Sequence, residues 1–192
     1  MENYSDEQLV VKYLKGEKKT LDVLIKRYLQ SIYSFCFRFI GNNQEAAEDI
    51  TQDVFVKVWR NLKKFNKNKK FKTWIFTIAK NTCLDWLKKK RLILFSELND
   101  DDSDNFFVEN IPDDKPLPDE LLERKDIADI LEKTINSLSL KYRLVLWLHY
   151  NDHFTFQEIA DILGESINTI KTRHWRGIAR LREILIKENE TK

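Results

Sequence analysis

Apolar residues recur at three- and four-residue intervals along most of the chain, and no stretch of useful length alternates as a strand would. Ser5 stands three residues before Gln8, the capping-box spacing that satisfies two orphan backbone donors, so a helix opens there and Gly16 closes it. Leu21, Leu24, Ile25, Tyr28, Leu29, Ile32, Cys36, Phe39 and Ile40 then mark one face of a long helix. Gly41-Asn42-Asn43 breaks it, with Asn42 and Glu45 a second cap-like pair. A further helix is predicted from about Glu45 to Leu62, with Ala47, Ile50, Val54, Phe55, Val58 and Leu62 inward. After a Lys/Asn-rich break from Lys63 to Lys70, Trp74, Ile75, Ile78, Ala79, Thr82, Trp86 and Leu87 define another helix, running into Lys88-Lys89-Lys90-Arg91.

Residues 97–119 lose this period. They are rich in Asp, Asn and Ser, hold all three prolines, and cannot bury enough apolar surface to offset ordering entropy. Phe106-Phe107-Val108 is an apolar island in this predicted linker. Helical periodicity resumes with Leu121, Leu122, Ile127, Ile130, Leu131, Ile135 and Leu138, and Ser139 is placed to cap a short helix containing Val145, Leu146 and Leu148. From Thr155 a short helix ends at Leu163, Gly164 makes the turn, and Ser166 caps a second helix. Ala160 is small where two helices cross near a tight turn, which completes a helix-turn-helix pattern. The expected fold is all-α: a helical domain over residues 1–96, an acidic linker over 97–119, and a helix-turn-helix domain over 120–192.

Charge sharpens this division. The 192 residues carry a net charge of only +2, but the charges are sorted. Residues 57–91 hold 13 basic side chains against 1 acidic, and residues 92–126 hold 3 against 12. Residues 166–192 return to 7 basic against 3 acidic. Two basic blocks flanking an acidic stretch indicate a chain that meets polyanions at two places. The longest apolar run, Leu144 to Leu148, is far short of the ~20 residues that span a bilayer. The acidic, polar N-terminus is unlike a signal peptide, so a cytoplasmic protein is expected. Cys36 and Cys83 form neither a disulfide framework nor a zinc set and read as inert core thiols. No cofactor or metal is implied.

Three constellations carry chemistry. On the second helix of the helix-turn-helix, Ile167, Ile170, His174, Ile178 and Leu181 face inward. Asn168, Thr169, Lys171, Thr172, Arg173, Trp175 and Arg176 are then available to base edges and phosphates. His174 reads as a satisfied, half-buried side chain, and Trp175 either packs on a neighbouring helix or contacts DNA. On the helix over 45–62, Glu45, Glu48, Asp49 and Gln52 share a face with Asp53 beside them. No nucleophile, phosphate loop or second carboxylate motif accompanies these carboxylates, so no catalysis is expected of them. They are either an ordinary solvated face or a docking surface for a basic partner. In residues 57–91 the cations interleave with Trp59, Phe65, Phe71, Trp74, Phe76 and Trp86. Such rings can stack on unpaired bases, although Trp86 and at least one of Trp74 and Phe76 are expected in the core.

In their order along the chain the three features resemble the bacterial sigma factors of RNA polymerase, specifically the two-domain extracytoplasmic-function group, over nearly the whole chain. Ala47-Glu48-Asp49-Ile50-Thr51-Gln52-Asp53-Val54-Phe55 resembles the family's polymerase-docking motif. Phe71 to Asn81, with Asp85 and the basic run to Arg91, resembles its promoter-opening and minus-10-reading segment. Glu158-Ile159-Ala160, Gly164, Ser166 and Asn168 to Arg173 resemble its minus-35 helix-turn-helix. The resemblance implies that Glu48, Asp49, Gln52 and Asp53 grip the clamp coiled-coil of core RNA polymerase, with the flap a second contact. It implies that Phe71, Lys72, Trp74, Lys80, Asn81, Lys88 and Arg91 hold the opened strand of promoter DNA. Ser166, Asn168, Thr169, Lys171, Thr172, Arg173 and Arg176 would read the minus-35 element, and the acidic linker would enter the polymerase cleft. An anti-sigma factor is a further partner the resemblance suggests. His174 stands where the family usually has an apolar residue, Gly177 where it usually has alanine, and Ser139 where proline is common. The competing expectation is an autonomous dimeric helix-turn-helix regulator, which would leave the basic, aromatic block of the first domain without a use.

Overall fold

The computed structural model describes residues 4–97 and 134–190, of which 91–97 and 187–190 are described by their backbone alone. The predicted linker, its Phe106-Phe107-Val108 island and the helical pattern from Leu121 to Leu131 lie outside the described residues. Among the described residues the α-helices are α1 (Asp6–Leu14), α2 (Lys19–Phe39), α3 (Gln44–Asn61), α4 (Phe71–Glu97), α5 (Leu140–Tyr150), α6 (Phe156–Leu163) and α7 (Ile167–Glu190). A short 3-10 turn, Leu62–Lys64, follows α3, and residues 134–137 are also helical. The chain divides into two compact units, the first containing α1 to α4, the second containing α5, α7 and most of α6.

Local sequence sets the ends of α1. Ser5 Oγ accepts the Gln8 N–H at 3.2 Å while the Ser5 N–H donates to Gln8 Oε1 at 2.9 Å. At the other end the Gly16 N–H donates to Tyr13 O at 2.9 Å and the Glu17 N–H to Lys12 O at 3.1 Å. That paired closure needs a left-handed residue, and Gly16 supplies it at φ 107°. The cap of α3 falls one residue later than the sequence suggested. Asn42 is itself left-handed at φ 63°, so Asn43 is the N-cap and its Oδ1 accepts the Ala46 N–H at 2.9 Å.

The core of the first unit is shared by all four helices. Leu9, Ile32, Phe35, Val54, Phe71, Ile75 and Phe76 are all essentially sealed from solvent. Each such side chain contributes roughly 1.5–3 kcal/mol of transfer free energy. Phe35 and Phe76 meet edge-on at 5.3 Å between α2 and α4. Cys36 and Cys83 are buried free thiols. The contact with Cys36, then burial, pushes the Cys83 thiol far above its usual range, so it stays protonated and unreactive.

Four expectations need correction. Leu29 is 49% exposed, because it sits at the rim of the apolar face of α2. Phe55 is only half-buried, while Thr51 takes an inward place by donating its hydroxyl to Ala47 O at 2.6 Å. Trp86 is half-buried, with Lys90 Nζ 5.2 Å from its ring centre, and is not a core ring. α4 begins at Phe71, three residues before Trp74, because Glu7 Oε1 of α1 accepts the Phe71 N–H at 3.0 Å. Burial pushes the Glu7 carboxyl up, but its hydrogen bonds to backbone N–H groups, Phe71 first, outweigh that and hold it below the usual carboxylate value.

In the second unit, Leu138, Tyr142 and Leu146 are buried against Ile178, Leu181 and Ile184 of α7. Gly177 makes this crossing close. A Cβ there would lie 3.2 Å from Leu146 Cδ1 and 3.3 Å from its Cγ. Thr155 caps α6: Glu158 Oε2 accepts the Thr155 N–H at 2.9 Å and the Glu158 N–H returns to Thr155 Oγ1 at 3.3 Å. Ser139 holds the N-cap position of α5, but its hydroxyl makes no capping bond; the Tyr142 N–H goes to its carbonyl instead.

Candidate nucleic-acid and partner-docking surfaces

On α3 the buried positions Ala46, Ala47, Ile50, Thr51, Val54 and Val58 leave a continuous opposite face. Glu48, Asp49, Gln52 and Asp53 all lie exposed on it. Gln44 Nε2 donates to Glu48 Oε1 at 3.1 Å, one helical turn apart. Sequence reasoning stopped at the carboxylates, but the face continues into Val56, 41% exposed, and Trp59, 55% exposed. Trp59 Nε1–H donates to Tyr13 Oη at 2.8 Å, which fixes the indole plane. The legible signal was spacing, since Trp59 is seven residues beyond Gln52. Scattered apolar exposure is ordinary, but two apolar groups continuing an acidic stripe suit a partner with a basic and a greasy end.

α4 carries the second predicted surface. Asn81 and Lys88 are exposed and Lys72 and Lys80 half-buried, while the Arg91 side chain lies outside the described residues. Asn81 and Lys88 stand seven residues apart and so share a face with Lys80 beside them. The aromatic expectation divides. Phe71 is fully buried, 5.6 Å from Tyr28 and 5.7 Å from Phe65, so it is core and offers no face to a base. Phe65 and Phe76 are buried too. Trp74 is half-buried, leaning on Phe65 at 5.1 Å and Phe71 at 5.6 Å. The packed phenylalanines therefore position one ring, Trp74, at the surface. Lys57 Nζ bonds Thr82 Oγ1 at 3.1 Å and reaches Asp85 at 3.6 Å, tying α3 to α4.

The third surface is α7. Ser166 Oγ accepts the Thr169 N–H at 3.1 Å and hydrogen-bonds the Thr169 hydroxyl at 2.8 Å, so both residues are occupied in capping the helix. Asn168, Lys171, Thr172 and Arg176 are exposed. Arg173 differs from the free base-reader expected. It is half-buried, and its guanidinium meets Glu165 Oε1 at 2.7 Å across the turn that starts the helix. Trp175 is 72% exposed, which decides against packing on a neighbouring helix of its unit. His174 faces inward among His149, Tyr150 and Phe156, with ring centres 5.3, 5.7 and 5.0 Å away. Its Nε2 is 3.0 Å from Tyr150 Oη, but its buried Nδ1 has no hydrogen-bond partner. Burial, then the neighbouring His149, holds the His174 imidazole below its ordinary value.

Comparison with known proteins adds to this geometry. Residues 24–93 match the family model for Sigma-70 region 2, and residues 126–181 match that for Sigma-70, region 4. The chain is 32% identical over 172 residues to the ECF RNA polymerase sigma factor SigW of Bacillus subtilis (strain 168), spanning 89% of this chain and 91% of that protein. It is 27% identical over 176 residues to the ECF RNA polymerase sigma-E factor of Escherichia coli (strain K12), spanning 91% of each. A solved structure of the sigma factor RpoE with the anti-sigma factor NepR, from Bartonella quintana, is similar with a TM-score of 0.67 at 26% identity, over 87% of this chain and 97% of that one.

Proposed function

The chain belongs to the extracytoplasmic-function sigma factors of bacterial RNA polymerase, and from that premise we propose how its surfaces divide the work. It is a promoter-recognition subunit, a non-enzymatic initiation factor whose partners are core RNA polymerase and promoter DNA. Its place of work is the cytoplasm, with the polymerase. The domain limits follow the charge pattern: 1–96 docks and reads the minus-10 element, 97–119 links, and 120–192 reads the minus-35 element.

Glu48, Asp49, Gln52 and Asp53, continued by Val56 and Trp59, dock on the clamp coiled-coil, and the second unit meets the flap. Opposite charge fixes the register and speeds encounter, while the apolar end supplies desolvated contact. Lys72, Trp74, Lys80, Asn81, Lys88 and Arg91 hold the opened strand; Phe71 supports them from the core. Strand opening costs a few kcal/mol per unstacked base, and a ring and cations waiting at the surface offset it. Asn168, Lys171, Thr172 and Arg176 read or anchor the minus-35 element, on a helix whose start Ser166 and Thr169 fix. Each unit alone offers few contacts. Bound to polymerase, the two act as one bivalent reader. An anti-sigma factor is a further partner, supported by Leu29 and the half-buried Ile25, Tyr33 and Phe37 along one stripe of α2. The solved Bartonella quintana relative is bound to such a factor.

The observation that carries the docking assignment is the acidic face of α3, exposed at Glu48, Asp49, Gln52 and Asp53 opposite the buried apolar face of the same helix. Asp49→Arg is expected to abolish co-purification with core polymerase and promoter-dependent transcription in vitro, while the circular-dichroism melt stays that of the wild type. A variant that melts normally and still co-purifies with core overturns the assignment.

A further inference from the structure

The first turn of α5 and one flank of α7 form a shallow, open cleft of about 450 Å³. Lys141 and Tyr142 line it from α5, and Thr172, Arg173 and Arg176 from α7. None of the described residues lining it is acidic. Glu165, in the turn before α7, is already engaged by Arg173 at 2.7 Å. Lys141 and Arg176 are exposed, whereas Tyr142 is only 4% exposed. Lys141 Nζ lies 5.2 Å, and the Arg180 guanidinium 4.8 Å, from the Tyr142 ring centre. The electron-rich ring face thus gathers two cations at the edge of the cleft.

The lining fits one chemistry. Two exposed cations and a hydroxyl, with no competing carboxylate, suit an oxyanion. Thr172 and Arg176 belong both to the cleft and to the outward face of α7. A duplex read by that face therefore passes its sugar-phosphate backbone along this flank. We propose that the cleft holds a backbone phosphate of the promoter beside the minus-35 base pairs, with Lys141 of α5 as a phosphate contact outside the recognition helix. Arg173, held by Glu165, is then a positioning residue that sets the wall of the cleft, and Arg176 closes it. The proposal rests on reading α7 as the minus-35 element's partner. It separates the work in a familiar physical way: phosphate contacts set register, and base contacts carry sequence.

The test uses reconstituted holoenzyme and minus-35 duplexes of varied sequence, with binding measured from 50 to 200 mM salt. One lost phosphate contact lowers the slope of log affinity against log salt by about 0.9, so wild type should lose about 3.5-fold more affinity than Lys141→Ala over that range. The loss should be equal on every minus-35 sequence, and Lys141→Arg should restore the slope. An unchanged slope in Lys141→Ala, with minus-35 preference intact, overturns the phosphate contact and leaves α7 as the reader. A change of preference at one base pair makes Lys141 a base contact and also overturns it. If wild-type holoenzyme shows no minus-35 preference at all, the reading of α7 fails and the proposal fails with it.

Discussion

Glu7→Ala removes the contact that starts α4. In the wild type, Glu7 Oε1 accepts the Phe71 N–H at 3.0 Å, across 64 residues of sequence. Phe71 is 0% exposed, so water has poor access to a donor left there without its partner. Loss of a helix cap costs about 1 kcal/mol, and an unsatisfied buried donor about 1–3 kcal/mol, so the variant should lose about 1–2 kcal/mol. For a unit of this size that lowers Tm by about 5–15 °C. The loss should depend on pH. The Glu7 carboxyl is held below 4.5 in the fold, so its stabilisation is complete above that value and disappears as pH falls through the depressed value. The gap between wild type and variant should therefore close in acid. Thermal unfolding by circular dichroism between pH 7 and 3 measures the gap, and hydrogen exchange of the amides at 71–74 locates it. A variant as stable as wild type at pH 7, or a gap that persists undiminished at pH 3, refutes the reasoning. Because α4 carries Lys72, Trp74, Lys80 and Asn81, the same variant should slow open-complex formation while leaving association with core polymerase unchanged.

Gly177→Val puts branched bulk where even a Cβ would come within 3.2 Å of Leu146 Cδ1. Overpacking of that kind costs about 1–3 kcal/mol, so the melting of the second unit should move down and minus-35 binding should weaken; an unaltered melt contradicts the close crossing. His174→Leu should flatten the pH dependence of stability. The folded imidazole lies below 6.5, so the unfolded chain binds more protons just below that pH. Wild-type stability is full above 6.5 and is lost as pH falls through the folded value. His149 and Tyr150 face the ring. Equal slopes of Tm against pH for wild type and variant, between 7.5 and 5.5, would disprove the effect.

Much of the molecule is legible along the chain because its determinants are local. Ser5 with Gln8, Gly16, and Ser166 before α7 act within one helical turn, so residue type and spacing reveal them. The Thr155–Glu158 capping box that starts α6 is equally local. The acidic face of α3 follows from period alone, since every inward position repeats at three or four residues. Asn43 replaced Asn42 as a cap because Asn42 tolerates the left-handed conformation that the turn requires. The sorting of charge into basic, acidic and basic blocks needed no structure at all.

What each ring and cation does was decided by packing between helices far apart in sequence. Phe71 and Trp74 stand one turn apart among the same cations, yet Phe71 is sealed beneath Tyr28 and Phe65 while Trp74 keeps an open edge. Arg173 looked as free as Arg176 until the turn folded Glu165 against it. Along the chain Lys141 is one lysine in a short helix; Gly177 lets α5 approach α7 closely, and the cleft between them is lined in part by Lys141. Helical period states which residues share a face. Only the meeting of faces, set by side-chain volume and by which buried donors find acceptors, states what that face touches.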